Sequence, residues 1–363
     1  MKFDLIIDSR PSEVVIALLC DGQLIELHKQ KHDNNFSVGD IYLGKAKKVV
    51  PGLNAAFVNV GYEKDGFLHY LDLGSEINSF KKFTEKSISS KLNTASLKNF
   101  KLEKKIEKDG KIAETIKSGD HLLLQISKEP ISTKGPRLTT EISLAGRYMV
   151  LIPFSDRISI SQKIKSKEER SRLKKLIQSI RPKGFGVIIR TVADGKKVAE
   201  LDMDLKNLYK KWQSIYKNLK TANVSDRIHS ELNRSSAILR DLLNSEFSQI
   251  HVNNTELHTE LKEFLSRISP DQEKIVKLYK GETPIFQHMN ITQQVKSSFG
   301  KTTSMKNGTY LVIEHTEALH VIDVNSGKKV DSKKNQEANA LAVNEIAVEE
   351  VARQLRLRDM ELP

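Results

Sequence analysis

Short apolar runs with a two-residue period open the chain and predict three β-strands, at residues 3–7, 13–19 and 24–27. Asp21 and Gly22 separate the last two runs, and an Asp-Gly pair in that position is typical of a β-hairpin. A further series of short apolar runs, separated by Gly or Pro turns, occupies residues 39–71. Regularly spaced short strands are typical of a β-barrel, so a barrel is predicted here.

Residues 74–119 have a different pattern, because apolar positions are sparse and irregular while Lys, Ser and Asn are frequent. This composition predicts an insertion that is partly disordered, before a strand resumes at residues 122–126. Its lysines either contact phosphate groups or belong to a solvated polar loop, and the pattern leaves both interpretations open. The lysines concerned are Lys81, Lys82, Lys98, Lys101, Lys104 and Lys105.

Helical periodicity follows. Ser166 and Glu169 form a capping-box signature ahead of an amphipathic helix that should end near Pro182. A long helix is predicted around residues 201–215, and Trp212 lies on its apolar face, which favours a place in the core. Other segments complete a mixed α and β pattern without an internal repeat: strands at 142–153, 185–190, 310–313 and 318–324, a turn at 315–317, and helices at 235–243, 255–265 and 337–358.

The amino-acid composition indicates which class of partner the protein binds. The 363 residues are enough for several domains, and 38% hydrophobic with 29% charged residues suits a globular protein. Lys and Arg number 59 against 46 acidic residues, a formal charge of +13 that favours a polyanionic partner. No apolar run approaches the length of a membrane span. The single cysteine, Cys20, cannot form an intramolecular disulfide, so a cytoplasmic location is expected.

The predicted barrel carries residues suited to nucleic acid. Glycines permit close backbone approach, lysines at positions 45, 47 and 48 can follow phosphates, and Phe57 and Phe67 can stack on bases. Such stacking contributes about 1–3 kcal/mol per base without regard to sequence. The alternative interpretation places both phenylalanines in the barrel core.

Several motifs resemble those of the ribonuclease E/G family. Gly-Asp-Ile-Tyr at 39–42, Ala-Ala-Phe-Val at 55–58 and Gly-Phe-Leu at 66–68 resemble its S1-type RNA-binding domain. Later motifs follow in the family's order across nearly the whole chain: Lys-Gly-Pro-Arg-Leu-Thr-Thr at 134–140, Ile-Ser-Leu-Ala-Gly-Arg-Tyr-Met-Val at 142–150, Val-Ile-Ile-Arg-Thr at 187–191, Thr-Glu-Ala-Leu at 316–319, Ile-Asp-Val-Asn-Ser at 322–326, and Ala-Arg-Gln-Leu-Arg-Leu-Arg-Asp at 352–359.

The resemblance implies an α+β multidomain fold, in which an RNase H-like fold is interrupted by an S1-type OB barrel and a sensor of the RNA 5′ end. Part of a DNase I-like catalytic fold follows. The implied boundaries are 1–36 and 236–300 for the RNase H-like parts, 37–138 for the barrel with its insertion at about 74–119, 139–235 for the sensor, and 301–363 for the catalytic part.

By the same resemblance, Phe57, Phe67 and Lys134 would contact RNA. A pocket for a 5′-monophosphate would consist of Gly146, Val150, Arg190 and Thr191. The chemistry of the last two residues suits that role, because a guanidinium can bind phosphate bidentately while a hydroxyl completes the anion site. Without the resemblance, an arginine that ends a strand in solvent is the plainer interpretation.

The chain departs from the family pattern at one position of this pocket. Gln162 stands where the family commonly has another arginine. We therefore expect a weaker pocket unless Lys163 substitutes for the missing charge.

Asp323 is the strongest catalytic candidate. Alternation along a strand places Asp323 and Asn325 on one face, while Ile322 and Val324 would point into the core. Mg²⁺ prefers oxygen ligands, so Asp323 would bind this metal and Asn325 would position the metal or the phosphate. An aspartate that caps a turn at a strand end is the alternative interpretation.

The implied activity is that of a Mg²⁺-dependent endoribonuclease that cleaves single-stranded RNA, leaves 5′-phosphate and 3′-hydroxyl ends, and is stimulated by a 5′-monophosphate in RNA processing and decay. The family carries a second metal-binding aspartate beyond Pro363, and later cysteines that share Zn²⁺ between subunits. A homodimer or homotetramer is expected of the full-length protein, and the compact length favours the short G-type. The alternative is an RNA-binding module without catalysis, since only one metal carboxylate is present.

Overall fold

The computed structural model describes residues 1–31, 35–131, 133–244, 246–305, 308–316, 319–327 and 336–360. The chain forms two compact units, one consisting of residues 1–33 and 234–363 and the other of residues 34–233. Within the described ranges, no helix is both long and apolar enough to cross a membrane.

Strands and helices alternate along the chain. The strands are β1 (Phe3–Ser9), β2 (Glu13–Cys20), β3 (Gln23–Lys31), β4 (Ile41–Val50), β5 (Ala55–Asn59), β6 (Gly66–His69), β7 (His121–Lys128), β8 (Arg137–Thr139), β9 (Leu144–Ala145), β10 (Met149–Pro153), β11 (Ile158–Ile160), β12 (Phe185–Ile189), β13 (Arg227–His229), β14 (Phe247–Val252), β15 (Val276–Leu278), β16 (Thr302–Ser304), β17 (Tyr310–His315) and β18 (His320–Asn325). The helices are α1 (Ile77–Ile88), α2 (Ile112–Thr115), α3 (Lys167–Ile180), α4 (Val198–Leu219), α5 (Arg234–Leu242), α6 (Thr255–Ile268), α7 (Ile285–His288), α8 (Ile291–Ser298) and α9 (Gln336–Leu357).

The first unit contains a five-stranded sheet in the order β15-β14-β1-β2-β3. β1 is a central strand, parallel to β14 and antiparallel to β2. Its residues Leu5, Ile6 and Ile7 are all buried, as a strand covered on both faces requires. Asp21 and Gly22 both have positive φ, 47° and 79°, which suits a two-residue hairpin turn. The three predicted strands and their hairpin are confirmed.

The same unit contains a smaller antiparallel sheet in the order β16-β17-β18. Leu311 and Ile313 on β17 are buried and cluster with Ala347 of α9. The predicted strand pair is therefore confirmed where the structure describes it. Residues 317 and 318, the end of the predicted turn and the first residue of the predicted second strand, lie outside the described residues.

The second unit begins with a closed five-stranded barrel of OB type. Its strands follow the order β4-β5-β6-β8-β7, pairing between β4 and β7 closes it, and β13 adds to β4. Val58, Leu68 and Leu124 fill the interior. At Gly44, a Cβ atom would lie 2.6 Å from Leu124 and 2.8 Å from Val58, so only glycine leaves room for these side chains. The predicted barrel is confirmed, with one ten-residue strand β4 where two short strands were predicted.

A four-stranded sheet, ordered β11-β12-β10-β9, packs with α3 and α4 in the same unit. Trp212 on α4 is fully buried, and its indole N–H donates to Ala95 O at 2.9 Å, which confirms its place in the core. α3 ends at Ile180, before Pro182, as predicted.

Only half of the predicted capping box forms at the start of α3. Ser166 Oγ accepts the N–H of Glu169 at 3.2 Å. The Glu169 carboxylate instead accepts two hydrogen bonds from Arg172, at 2.6 and 2.7 Å. An arginine three residues along the helix thus provides the glutamate with charged donors in place of the backbone N–H.

The prediction of partial disorder at residues 74–119 is wrong. The segment contains the twelve-residue helix α1, which buries Phe80 and Phe83. The Phe83 ring centroid lies 5.0 Å from that of Trp212. The apolar residues of the segment are few, but they include large rings at helical spacing, and these bury enough surface to order the chain.

The mixed α+β architecture with its closed barrel is confirmed. The finer division into parts 1–36, 37–138, 139–235, 236–300 and 301–363 remains a prediction. So do the RNase H-like and DNase I-like identities of the parts that flank the second unit.

Candidate functional site

Phe57 and Phe67 lie on the outer face of the barrel. They are directly opposite each other on β5 and β6, and their ring centroids are 5.8 Å apart with the planes inclined at 65°. Both rings are half-buried, whereas the alternate residues Val58 and Leu68 are buried in the interior. The interpretation that placed the phenylalanines in the barrel core is therefore wrong, because strand alternation directs them outward.

Basic residues stand at both ends of this aromatic pair. Lys48 on β4 is opposite Phe57, and Arg137 on β8 is opposite Phe67. Residues opposite each other in a sheet project from the same face, so the four side chains form one row across four strands. Lys48 is exposed, while Arg137 makes a bidentate ion pair with Asp72 at 3.0 and 3.1 Å. We call Lys48, Phe57, Phe67 and Arg137 the barrel row.

His69 extends the aromatic surface and was not identified from the sequence. Its ring centroid is 6.4 Å from that of Phe67, and the two planes are inclined at 30°. The ring Nδ1 accepts the N–H of Leu71 at 3.1 Å, which holds the ring in place. The sequence did contain a signal, because His69 is two residues from Phe67 on one strand and therefore shares its face.

Lys134 lies in the tight segment that leads into β8. It is exposed, and its N–H donates to Ile131 O at 3.0 Å. Gly135 brings this segment against the preceding loop, because a Cβ atom there would lie 2.3 Å from Asp65 O. The N–H of Phe67 donates to Pro136 O at 2.8 Å. Lys134 therefore lies two residues before Pro136, the residue whose carbonyl accepts the N–H of Phe67.

The lysines of the insertion divide into two groups. Lys81 makes an ion pair with Asp120 at 2.6 Å and is only 18% exposed, and Lys82 pairs with Glu103. Lys105 pairs with Glu76 at 2.6 Å but remains 67% exposed. The remaining three are exposed: Lys98, Lys101 and Lys104. Lys81, Lys82 and Lys105 already have carboxylate partners, so a phosphate would have to compete for them.

A second polar site lies on the four-stranded sheet of the same unit. Arg190 follows β12, and its Nη1 donates to Gly146 O at 2.9 Å. Thr191 is exposed, and its hydroxyl is 2.8 Å from that of Ser161. The structure thus brings Arg190 and Gly146 together and adds Ser161 beside Thr191, a residue that sequence reasoning missed.

Val150 lies on the outward face of this sheet. It is half-buried on β10 and directly opposite Ile188 of β12, which is 40% exposed. The two side chains form an apolar surface on the sheet, and Arg190 follows the end of β12, the strand that carries Ile188. Such a surface can contact a base or a sugar.

Asp204 holds the loop that contains Gly146. Its carboxylate accepts the N–H groups of Arg147, Tyr148 and Met149 at 3.1, 2.9 and 3.2 Å. Burial raises the pKa of Asp204, although these three donors act in the opposite direction. A Cβ atom at Gly146 would lie 2.6 Å from the carboxylate, so the close approach requires glycine.

Sequence reasoning did not identify Asp204. A signal was available, because this aspartate lies between Leu201 and Leu208 at helical spacing on the apolar face of α4. A carboxylate in such a position needs hydrogen-bond donors from another part of the chain.

Gln162 and Lys163 are both exposed just after Ser161. The N–H of Lys163 points to Ser161 Oγ at 3.3 Å. Arg170 clamps the same turn, because its Nη1 donates to Ser161 O at 2.7 Å and to Ile164 O at 3.2 Å. The substitution of Lys163 for the missing arginine remains a prediction.

In the first unit, Asp323 and Asn325 lie on one face of β18, as alternation predicts. Asn325 Nδ2 donates to Asp323 Oδ2 at 2.8 Å, and Asp323 is exposed. Ile322 packs with the cluster of Leu311 and Ile313. The expectation that Val324 points into the core is wrong, because this side chain is 38% exposed.

Asp323 and Asn325 are residue types that can bind a hard cation. One carboxylate and one amide oxygen are ligands that Mg²⁺ accepts, and it commonly retains water and binds substrate phosphate besides. Across the described ranges, no three His, Cys, Asp or Glu side chains come together as a metal site. Asp323 thus supplies a partial ligand set.

A closed barrel of OB type with aromatic and basic residues on its outer face is the architecture of one class of single-stranded nucleic-acid-binding proteins. A model described as the ribonuclease E/G family matches residues 143–361. Ribonuclease G of Escherichia coli (strain K12) is 32% identical over 365 residues, covering 99% of this chain and 70% of its own length.

Two further relatives agree with this match. Ribonuclease G of Haemophilus influenzae is 32% identical over 362 residues, covering 98% of this chain and 69% of its own length. Ribonuclease E of Nostoc sp. is 34% identical over 350 residues, covering 95% of this chain and 47% of its own length. The chain belongs to the ribonuclease E/G family.

Proposed function

We propose that the protein is an endoribonuclease that acts on single-stranded RNA. The observation that carries the proposal is the barrel row, in which Phe57 and Phe67 stand outside a closed barrel between Lys48 and Arg137. Membership of a family whose relatives are named ribonucleases supports the enzymatic part. The formal charge of +13 agrees with a polyanionic substrate.

The barrel row would hold RNA by two separable interactions. Phe57, Phe67 and His69 would stack on bases, which requires unpaired bases and therefore favours single strands. Lys48 and Lys134 would neutralise phosphates and release counterions. Stacking provides affinity that salt does not weaken, whereas the lysines provide the salt-dependent part.

The site at Arg190 would recognise a 5′-monophosphate and stimulate cleavage. The guanidinium is held by Gly146 O, and the hydroxyls of Thr191 and Ser161 are adjacent to each other. A guanidinium fixed in this way can donate charge-assisted hydrogen bonds to a phosphate with less loss of side-chain freedom. Val150 and Ile188 would contact the terminal nucleoside.

Hydrolysis would take place at Asp323 with Mg²⁺. When bound, Mg²⁺ would neutralise charge on the scissile phosphate and promote attack by water. Asp323 would hold the cation, and the hydrogen bond from Asn325 would keep the Asp323 carboxylate in one orientation. Water would add to phosphorus and the 3′ oxygen would leave, which gives 5′-phosphate and 3′-hydroxyl ends.

We place this activity in rRNA processing and mRNA decay in the cytoplasm. In the full-length form, a second aspartate would complete the Mg²⁺ site. Cysteines that share Zn²⁺ between subunits would support a homodimer or homotetramer.

A second candidate function is RNA binding without cleavage. It is favoured by one observation, because the described part of the chain brings no three His, Cys, Asp or Glu side chains together as a metal site, at Asp323 or elsewhere. A single carboxylate holds Mg²⁺ weakly. Under this alternative, the barrel row and the Arg190 site would retain RNA without hydrolysing it.

One experiment separates the two functions. A fluorescent single-stranded oligonucleotide with a 5′-monophosphate is incubated with the protein in Mg²⁺ or in EDTA, and both cleavage and binding anisotropy are recorded. The endonuclease proposal expects Mg²⁺-dependent products that Asp323→Ala eliminates while binding persists. Binding without products in Mg²⁺ supports the alternative, and absence of binding contradicts both.

A further inference from the structure

Two histidines face each other at the end of the β17–β18 pair where residues 316–319 connect the two strands. His315 is the last residue of β17 and His320 the first of β18, and they are directly opposite in register. Their Nδ1 atoms are 2.6 Å apart, and the ring centroids are 4.7 Å apart with planes at 86°. Both side chains are exposed.

The short distance between the two Nδ1 atoms indicates a hydrogen bond between the imidazole rings. A neutral imidazole carries one N–H, so one Nδ1 donates its proton to the lone pair of the other. If that proton is displaced, two nitrogen lone pairs point toward one space between the strands. A pair of convergent imidazole nitrogens is a chelating group for a transition metal ion.

The separation of the two atoms is close to that of a metal chelate. With Zn–N bonds of about 2.0–2.1 Å and tetrahedral angles, two ligand nitrogens lie about 3.3 Å apart. The observed 2.6 Å would have to widen by about 0.7 Å. Rotation of two exposed side chains can provide this change without movement of the strands.

The surroundings of the histidine pair leave space for a metal ion, and the nearby basic side chains already interact with acceptors. A cavity of about 590 Å³ is lined by His315, Lys301 and Arg358 among other residues. Lys301 makes an ion pair with Glu314 at 2.5 Å, and Arg358 donates to the carbonyl of Gly300 at 2.6 Å. Both cations therefore have acceptors, and the open cavity allows water to complete the coordination of a metal.

The histidine pair is separate from the candidate catalytic residues. Alternation places His320 on the same face of β18 as Ile322, and Asp323 on the opposite face. The ligand chemistry differs as well, because imidazole suits Zn²⁺, Ni²⁺ and Cu²⁺, whereas Mg²⁺ prefers oxygen.

We propose that His315 and His320 form a two-imidazole site for a divalent transition metal ion, with Zn²⁺ or Ni²⁺ completed by water. The site is independent of RNA cleavage and does not take Mg²⁺. A bound ion would stabilise the paired strands beside this turn, because it would bind the folded arrangement of the two rings and not the unfolded chain.

The test is metal titration of the protein without a polyhistidine tag, by isothermal calorimetry at constant excess Mg²⁺. We expect one equivalent of Zn²⁺ or Ni²⁺ to bind, with at least a tenfold loss of affinity in His315→Ala and in His320→Ala. His288→Ala is the matched control, because His288 is an exposed histidine on α7, and its ring centroid lies 5.3 Å from that of Tyr279. This variant should bind the metal as the unchanged protein does.

A thermal measurement provides the second readout. Zn²⁺ should raise the unfolding temperature of the unchanged protein and of His288→Ala, but not that of His315→Gln or His320→Gln. The glutamine variants retain a polar side chain and serve if an alanine variant fails to fold. Equal affinity in the unchanged protein and both single variants, or no binding by the folded unchanged protein, would overturn the proposal.

Discussion

Phe57 and Phe67 occupy directly opposite positions on β5 and β6, and their rings meet at an angle of 65° outside the barrel. Both rings are half-buried and their centroids are 5.8 Å apart, so a base that stacks on one ring lies close to the other as well. Two adjacent anchors of this kind cannot be energetically independent.

Replacement of either phenylalanine by alanine should weaken binding of single-stranded RNA by about 1–3 kcal/mol, with little change in salt dependence. The double variant should lose less than the sum of the single losses, because the rings touch. Leu71→Ala is a suitable control, since Leu71 is 73% exposed and lies outside the barrel row. Affinity that is unchanged in both phenylalanine variants would refute the stacking role.

Lys48→Gln should reduce the slope of log affinity against log salt by about 0.7, the value expected for one phosphate contact with a single strand. The comparison is Lys82→Gln, because the partner of Lys82 is Glu103. That variant should leave the slope unchanged. Fluorescence titrations at several salt concentrations provide the measurement, and equal slopes for Lys48→Gln and the unchanged protein would exclude the contact.

Arg190→Ala should remove the advantage of a 5′-monophosphate over a 5′-hydroxyl, a loss of about 1.5–3 kcal/mol for hydrogen bonds to a charged group. Arg190→Lys should retain part of the preference, since lysine keeps the charge but not the bidentate geometry. Arg157→Ala serves as the control because Arg157 is an exposed arginine of the same unit. A preference that survives in Arg190→Ala would place the 5′ site elsewhere.

Phe83→Ala should destabilise the second unit by about 3–5 kcal/mol, because it removes a fully buried ring. Denaturant unfolding monitored by the single tryptophan is well suited, since Trp212 contacts Phe83. Lys98→Ala, an exposed change in the same insertion, should remain within about 0.5 kcal/mol of the unchanged protein. A small loss in Phe83→Ala would show that the insertion contributes little to the core.

The buried carboxyl of Asp204 predicts a pH dependence. Its pKa is raised in the folded state, so folding takes up a proton and the contribution to stability is greatest below the ordinary aspartate pKa of about 3.9. This contribution should fall as the pH rises through the raised pKa and then remain constant. The difference in unfolding temperature between the unchanged protein and Asp204→Asn, measured from pH 4 to 8, reports it. A difference that does not vary with pH would contradict the assignment.

Local alternation was sufficient to predict the three opening strands and the shared face of Asp323 and Asn325, but it left a core position of Phe57 and Phe67 open and missed strands such as β14 and β15. It could not predict that Lys48 stands opposite Phe57, because the pairing register shifts between Ala46 and Lys48. A register shift depends on the partner strand, which a local pattern does not contain.

Contacts between distant parts of the chain were also beyond the sequence pattern. Asp204 accepts the N–H of Arg147, a residue 57 positions earlier. The insertion was misjudged for the same reason, since the order of α1 depends on rings of α4 that are remote in sequence. Val324 shows the converse, because an apolar residue in a strand is buried only where another element covers it.

Because Phe83 contacts Trp212, the insertion contributes to the hydrophobic core beneath the four-stranded sheet and is not merely an addition to the barrel. A shortened insertion would leave Trp212 without one of its neighbours. The stretch that follows α1 is tied to the same core, because Ala95 O accepts the indole N–H of Trp212, so a protease cut within α1 should destabilise the four-stranded sheet as well.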